Sequence, residues 1–272
     1  MRKIAVLQMT SVIDPEVNFR AIQEALKEAQ AANADILFTP EMSLLLDRNR
    51  KRAAEAMASP TYSEYRGRLH DLVRTGDTDL ALGSMPVPLP EGKNANRSLY
   101  FFAGSREPVK YDKMHMFDVD LATGESWRES NAYAAGEDVV SVEDARLGRL
   151  GLSVCYDLRF PALFEALGQR QCDAIAVPAA FTKPTGDAHW HILLRARAIE
   201  ASAFVIAAAQ VGKHEDGRET YGHSLVVDPW GEVLLDMGGE QPGLGFCNID
   251  LERIAEVRAQ IPSLANRRKI PN

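Results

Sequence analysis

The chain has 272 residues, 46% of them hydrophobic and 25% charged, with a formal charge of −7. That length can bury a large core, as one domain of α/β size or two smaller ones, and the negative balance argues against nucleic acid or an anionic membrane as the main partner. Its three cysteines, Cys155, Cys172 and Cys247, show no CxxC spacing, which fits a reducing, cytoplasmic setting better than a disulfide scaffold.

The N-terminal run Lys3 to Gln8 reads as a first strand, because Gln8 interrupts the apolar stretch before it can serve as a signal peptide. No segment approaches the ~20 apolar residues of a membrane helix. The stretch PEVNFRAIQEALKEAQAANA (15–34) places apolar residues at helical spacing, ADILFTP (34–40) reads as a buried strand and YSEYRGRLHDLVRTG (62–76) as a second helix. DLALGSMPV (79–87) and NRSLYFFA (96–103) read as strands joined by the Pro/Gly-rich loop PLPEGKNA. After LGLSV (150–154), a strand, comes PALFEALGQR (161–170), a helix. AIAVPAA (174–180) and FVIAAAQV (204–211) read as strands flanking a helix over HWHILLRARAIEAS (189–202). SLVVDPWGEVLLD (224–236) is a hairpin with Pro229 and Gly231 in its turn. With no internal repeat and no linker-like composition, the alternation predicts a layered α/β fold in one domain, 1–272.

Three polar residues stand at or near the ends of extended runs: Glu41 after ILFTP, Lys113 within VKYDKMHMFDVD, and Cys155 at the end of GLSV. In an α/β fold such ends converge on a crevice. Singly, each has a plain reading: a solvated or capping glutamate, a surface lysine, a small core cysteine. Together they hold the parts for acyl transfer without histidine or metal. A carboxylate can take the thiol proton as the sulfur attacks, and an ammonium favours the thiolate and meets the oxyanion. The backbone N–H of Tyr156, just past the sulfur, is placed as a second oxyanion donor. Spacing alone does not bring the three into one place.

The segments FTPEMSL, YDKMHMFDVD and GLSVCYDLRFP resemble, in order and spacing, the Glu, Lys and Cys motifs of the nitrilase superfamily of carbon–nitrogen hydrolases. The runs CYDLRFP, PAAFTKPTGDAHWHILLRARAIE and YGHSLVVDPWG are similar to the branch containing deaminated glutathione amidase and ω-amidase. The resemblance implies an α-β-β-α sandwich, a homodimer or higher homo-oligomer, and amide hydrolysis through a cysteine thioester without a cofactor. It also implies a second glutamate after the lysine motif. GESWRES offers Glu125 and Glu129, and Glu129 fits the position better. In that branch the substrates carry a 2-oxoglutaryl group, whose carboxylate Arg159 is suited to hold; the alternative is a salt bridge from Arg159 to Asp157 or Glu165. Phe181, Thr182 and Thr185 fall in the next motif as candidate pocket residues, or as a core ring and helix-capping hydroxyls. The wording of PAAFT and YGHS favours deaminated glutathione over 2-oxoglutaramate.

Other chemistries find no support in the residues. His189 and His191 in HWH do not share a helix face and no ligand set accompanies them in sequence, so no metal is expected. No GxSxG elbow or glycine-rich phosphate loop is present. A protein that keeps the fold without activity is the reading from another class. The basic cluster Arg267-Arg268-Lys269 reads as a solvated tail or a dimer contact.

Overall fold

The computed structural model describes residues 1–122, 124 and 126–270. In chain order the first half forms β1 (Arg2–Gln8), α1 (Pro15–Ala31), β2 (Ile36–Phe38), α2 (Arg50–Met57), α3 (Pro60–Arg74), β3 (Asp79–Pro88), β4 (Asn94–Phe101) and β5 (Val109–Asp112). A small antiparallel pair, β6 (Asp118–Asp120) and β7 (Ser126–Arg128), follows. Next come β8 (Ser141–Ala145), β9 (Gly148–Leu152), α4 (Pro161–Gln169), β10 (Ala174–Ala176), α5 (Lys183–Ala201) and β11 (Phe204–Ala207). The remainder is β12 (Val211–Lys213), β13 (Glu219–Tyr221), β14 (Leu225–Val227), β15 (Val233–Asp236), β16 (Gly243–Ile249) and α6 (Glu252–Gln260).

Two six-stranded sheets result, one ordered β16-β1-β2-β3-β4-β5 and the other β15-β14-β11-β10-β9-β8. Each has three parallel strands at its centre, β1-β2-β3 and β9-β10-β11, with antiparallel strands outside them. Central strands covered on both faces carry apolar side chains toward both layers, and the two-residue period decides which layer each one enters. In β1, Ile4 and Val6 face the core shared with the second sheet, whereas Ala5 and Leu7 join Phe19, Ile22 and Leu69 of α1 and α3. β2 repeats this division, with Ile36 and Phe38 on one side and Leu37 on the other. Phe164, Leu167, Trp190 and Leu194 of α4 and α5 cover the second sheet. The architecture is the expected α-β-β-α sandwich.

The differences from the expected elements have local causes. Ser59 caps α3 and Pro60 occupies its first turn, so that helix starts before Tyr62. Pro184 likewise sits in the first turn of α5, which begins at Lys183, well before His189. β4 starts at Asn94, inside the expected loop. The edge strands β5, β8 and β16 and the helices α2 and α6 carry too little apolar periodicity to be read in the sequence. The charged α2 buries only Ala53 and Met57.

Gly83 is where this framework bears on the site. It lies in β3 at a break in the register with β4, between Leu82 and Met85. A Cβ there would sit 2.1 Å from Thr39 O, 2.3 Å from Pro40 O and 2.5 Å from Pro178 Cβ. The chain before Glu41 and the chain before Ala180 therefore converge over a residue that has no side chain. We expect Gly83→Ala to lower the melting temperature by roughly 5 °C or more, measured by differential scanning calorimetry. An unchanged midpoint would contradict this account of the convergence.

Candidate active site

Glu41 opens the turn after β2, Lys113 directly follows β5, and Cys155 begins a short helical turn (Cys155–Arg159) after β9. The structure brings these three strand ends together. Lys113 Nζ donates to Glu41 Oε1 at 3.0 Å and to Glu129 Oε2 at 2.8 Å. Cys155 and Glu41 line the same cleft and each shifts the ionisation of the other. All three are nearly sealed from solvent, Lys113 at 1% exposure, Glu41 at 5% and Cys155 at 7%. Glu129 thus takes the place expected of the second glutamate, while Glu125 lies outside the described residues.

Two of these positions are held in left-handed backbone, which side chains other than glycine rarely adopt. Cys155 has φ +50° and Met42, next to Glu41, has φ +55°. Ser84 Oγ accepts from Met42 N at 2.9 Å. Asp157, fully buried, secures the other elbow: its carboxylate accepts from Val154 N at 2.9 Å, Tyr111 OH at 2.6 Å and His115 N at 3.0 Å. Cys155 N donates to Pro178 O at 2.8 Å. The Tyr156 N–H precedes the first closure of the turn, Asp157 N to Val154 O, so the turn itself gives it no acceptor.

Several residues of the cluster carry no signal in the sequence. Asn96 Nδ2 donates both to Glu41 Oε1 at 2.8 Å and to Glu129 Oε1 at 3.1 Å. Its Oδ1 is buried with no partner among the described residues, so the amide serves the two carboxylates alone. Ala180 N reaches Glu41 Oε2 at 3.0 Å, Phe117 N reaches Glu129 Oε2 at 2.6 Å, and Gln210 Nε2 holds Glu41 O at 2.9 Å. Two of these are backbone groups, invisible to any reading of residue types. Asn96 and Gln210 lie in stretches that otherwise read as plain strand.

These contacts set the protonation states. Burial alone pushes the Glu41 carboxyl up, but the Lys113 ammonium, the Cys155 thiol and Asn96 outweigh it and hold it below the usual carboxylate range. Burial opposes charge on Lys113, and Glu129 and Glu41 reverse that, raising it well above an ordinary lysine. Burial lifts the Cys155 thiol well above its ordinary value, and the Glu41 carboxylate lifts it further. The resting cluster is therefore a neutral thiol beside an ionised glutamate and a charged lysine.

A cleft of about 300 Å³ opens onto Cys155, Glu41 and Lys113. Tyr156, Arg159, Phe181, Thr182 and Thr185 all line it. Neither salt bridge considered for Arg159 forms, because Asp157 is saturated as above and Glu165 pairs with Arg267. The Arg159 guanidinium lies 5.3 Å from the Phe181 ring and 5.9 Å from the Tyr156 ring, and it meets His189 Nδ1 at 3.2 Å. Phe181 is also a core ring, 4.8 Å from Trp190. Thr182 stands at the cap position of α5 but its hydroxyl bonds that of Thr185, at 2.8 Å, rather than the helix backbone. In HWH, His189 and His191 do diverge, yet His191 meets His223 and Asp236, a donor set that their separation in sequence hides.

The carbon–nitrogen hydrolase family model matches residues 3–259, and the chain belongs to that family. Among its relatives, the deaminated glutathione amidase of Synechocystis sp. is 37% identical over 266 residues, covering 97% of each chain. The crystal structure of the C. elegans NitFhit protein superposes with a TM-score of 0.89 at 36% identity, over 98% of this chain and 65% of that longer one. An amidase from Nesterenkonia sp. AN1, solved after Michael addition of acrylamide at its active-site cysteine, matches with a TM-score of 0.78 and 26% identity. That match covers 96% of this chain and 98% of the other. The protein is a carbon–nitrogen hydrolase.

Asn96→Asp would set a third carboxylate against Glu41 and Glu129 with one ammonium between them. Like charges raise carboxylate pKa values, so the acid limb of the rate profile should move up by about one pH unit or more. A limb unmoved in a pH series of kcat/KM would refute this. In the native protein the depressed Glu41 contributes stability above the ordinary carboxylate pKa, and that contribution disappears as pH falls through the lower folded value. The raised Cys155 acts oppositely: its contribution fades as pH rises past the ordinary thiol value toward the folded one.

Proposed function

We propose that this hydrolase cleaves a small 2-oxo-acid amide, with deaminated glutathione as the substrate, giving 2-oxoglutarate and cysteinylglycine. In this scheme Cys155 attacks the amide carbonyl while Glu41 accepts its proton, as the neutral resting thiol requires. Lys113 and the Tyr156 N–H meet the oxyanion, and Glu129 and Asn96 position Lys113 and Glu41. Glu41 then protonates the leaving amine, a thioester remains on Cys155, and water deprotonated by Glu41 releases the acid.

The observation that carries the substrate reading is Arg159: it lines the cleft beside the thiol and pairs with no carboxylate among the described residues. A guanidinium in that state suits the carboxylate of a 2-oxo acid. A second cationic region supports the longer substrate over 2-oxoglutaramate. Arg48, which pairs with no carboxylate side chain among the described residues, lies 5.4 Å from the Trp127 ring beside the Asp216-paired Arg218 at 5.3 Å, and Trp127, Phe117 and Tyr156 form a continuous run of rings toward Arg159. Deaminated glutathione is anionic at both ends, which matches cations at both ends of the cleft. The relatives bearing that amidase name support the same choice.

We further propose a cytoplasmic homodimer with no nucleic-acid or membrane partner. All three cysteines are free, and no described helix is long and apolar enough to cross a membrane. Ile192 and Ile199 share one stripe of α5, 70% and 50% exposed, and Trp230 of the β14–β15 hairpin, 46% exposed, lines a groove with Ile199. Arg195 Nε fixes that hairpin to α5 by donating to Gly231 O at 2.7 Å. An apolar face of this kind suits a second copy of the chain, and Ile199→Asp should shift the sedimentation coefficient to that of a monomer.

Cys155→Ala should lower turnover by roughly 10⁴-fold or more while keeping the fold. Arg159→Ala should raise KM for deaminated glutathione by about 10- to 100-fold with a smaller change in kcat. Steady-state kinetics on deaminated glutathione and 2-oxoglutaramate side by side test the assignment. A clear preference for 2-oxoglutaramate would overturn the substrate, and wild-type rates in Cys155→Ala would overturn the mechanism.

A further inference from the structure

Away from the cleft, three metal-type donors converge from three separate elements. His191 lies in α5, His223 follows β13, and Asp236 ends β15. His191 Nε2 is 3.0 Å from Asp236 Oδ2, and His223 Nδ1 is 2.9 Å from Asp236 Oδ1 and 3.2 Å from Oδ2. One donor atom from each residue lies within 4.8 Å of the others. We infer that this cluster is a binding site for a borderline divalent cation of the zinc type, remote from the hydrolytic chemistry.

The donor set and its spacing both fit. Zinc bonds imidazole nitrogen and carboxylate oxygen at about 2.0–2.2 Å, so tetrahedral donors stand roughly 3.3 Å apart. The observed nitrogen–oxygen separations need to widen by only a few tenths of an ångström. Two imidazoles disfavour magnesium and calcium, which prefer oxygen throughout. The three side chains are 33%, 25% and 34% exposed, which leaves water access to a fourth position.

The surroundings hold the donors in place. Gly238 N donates to Asp236 Oδ1 at 2.9 Å, the kind of outer contact that orients a ligating carboxylate. His223 sits in left-handed backbone, φ +53°, where Trp190 Nε1 fixes it by donating to its carbonyl at 2.8 Å. The Tyr221 ring stacks on its imidazole at 4.5 Å. Gly186 makes room for that ring, since a Cβ there would lie 2.3 Å from Tyr221 Cγ. Without an ion, the Asp236 carboxylate accepts hydrogen bonds from the imidazole N–H groups. With one, the same nitrogens turn lone pairs inward and the ring protons move to the other nitrogens. The bound ion clamps α5 to β15 and to the strand carrying Glu219 and Thr220, both of which line the cleft.

The test uses zinc chloride on the Cys155→Ala protein, which removes the buried thiol as a competing ligand. Isothermal titration should show one tight site per chain, and about 100-fold excess over Kd should raise the melting temperature by roughly 5 °C. His191→Gln and the near-isosteric Asp236→Asn should each weaken binding at least tenfold and abolish the rise. In the Cys155 background, both variants should keep their metal-free amidase rate. No zinc-dependent rise in Cys155→Ala would overturn the site and leave a hydrogen-bonded His–Asp–His bridge only. A rise that persists undiminished in both variants would overturn it equally, by placing the ion elsewhere.

Discussion

The ammonium of Lys113 is buried between the carboxylates of Glu41 and Glu129, and the rest of the site follows from that placement. Each ion in such a triad loses several kcal/mol of hydration. The loss is tolerable only because Asn96, Ala180 N and Phe117 N complete the coordination of the two carboxylates. Burial keeps the Cys155 thiol protonated at rest and the Glu41 carboxylate beside it reinforces this, so a base must be in contact with the sulfur when it attacks. The same arrangement that makes the thiol a poor free nucleophile supplies the carboxylate that activates it.

Holding this triad takes strain as well as charge. The residues at Met42 and Cys155 occupy conformations that cost on the order of 1–3 kcal/mol each, and both are over-determined by buried partners. Ser84 fixes the first. Asp157 fixes the second by accepting from Val154 N in its own turn and from Tyr111 and His115 on the segment that carries Lys113. Both elbows point the same way because the two sheets approach at their strand ends. The isolated bridge Met9↔Gln210 continues that approach past the regular strands, while Ala179↔Ala209 extends the β10–β11 pairing within the second sheet.

The cleft's selectivity has a different physical basis from its reactivity. Its chemistry needs dry, paired charges, whereas the substrate choice we propose rests on guanidinium groups held against aromatic faces. Arg159 over Phe181 and Tyr156, and Arg48 over Trp127, pair with no carboxylate side chain among the described residues, whereas Arg218 over the same Trp127 ring is paired with Asp216. Stacking keeps the first two guanidinium groups positioned while N–H groups remain free for an anion. Cys155 and Arg159 stand at the two ends of one short helical turn, which fixes the reacting sulfur and the recognising guanidinium relative to each other.

Local order was legible in the residues because it depends on neighbours in sequence. The central strands show uninterrupted apolar runs, α1 and α3 show helical spacing, and Glu41, Lys113 and Cys155 stand where ordered motifs put them. The edge strands β5, β8 and β16 and the charged α2 are not legible there, because one face or more meets solvent and the apolar period fades. Tertiary structure alone decided what those side chains meet: that Glu129 rather than a surface partner holds Lys113, that Asn96 serves two carboxylates, and that Arg159 stays free of Asp157 and Glu165. It also set His191 beside His223 and Asp236. Hydrogen bonds and ion pairs act over a few ångströms, and contacts of that length between residues tens or hundreds apart exist only once the sheets have stacked.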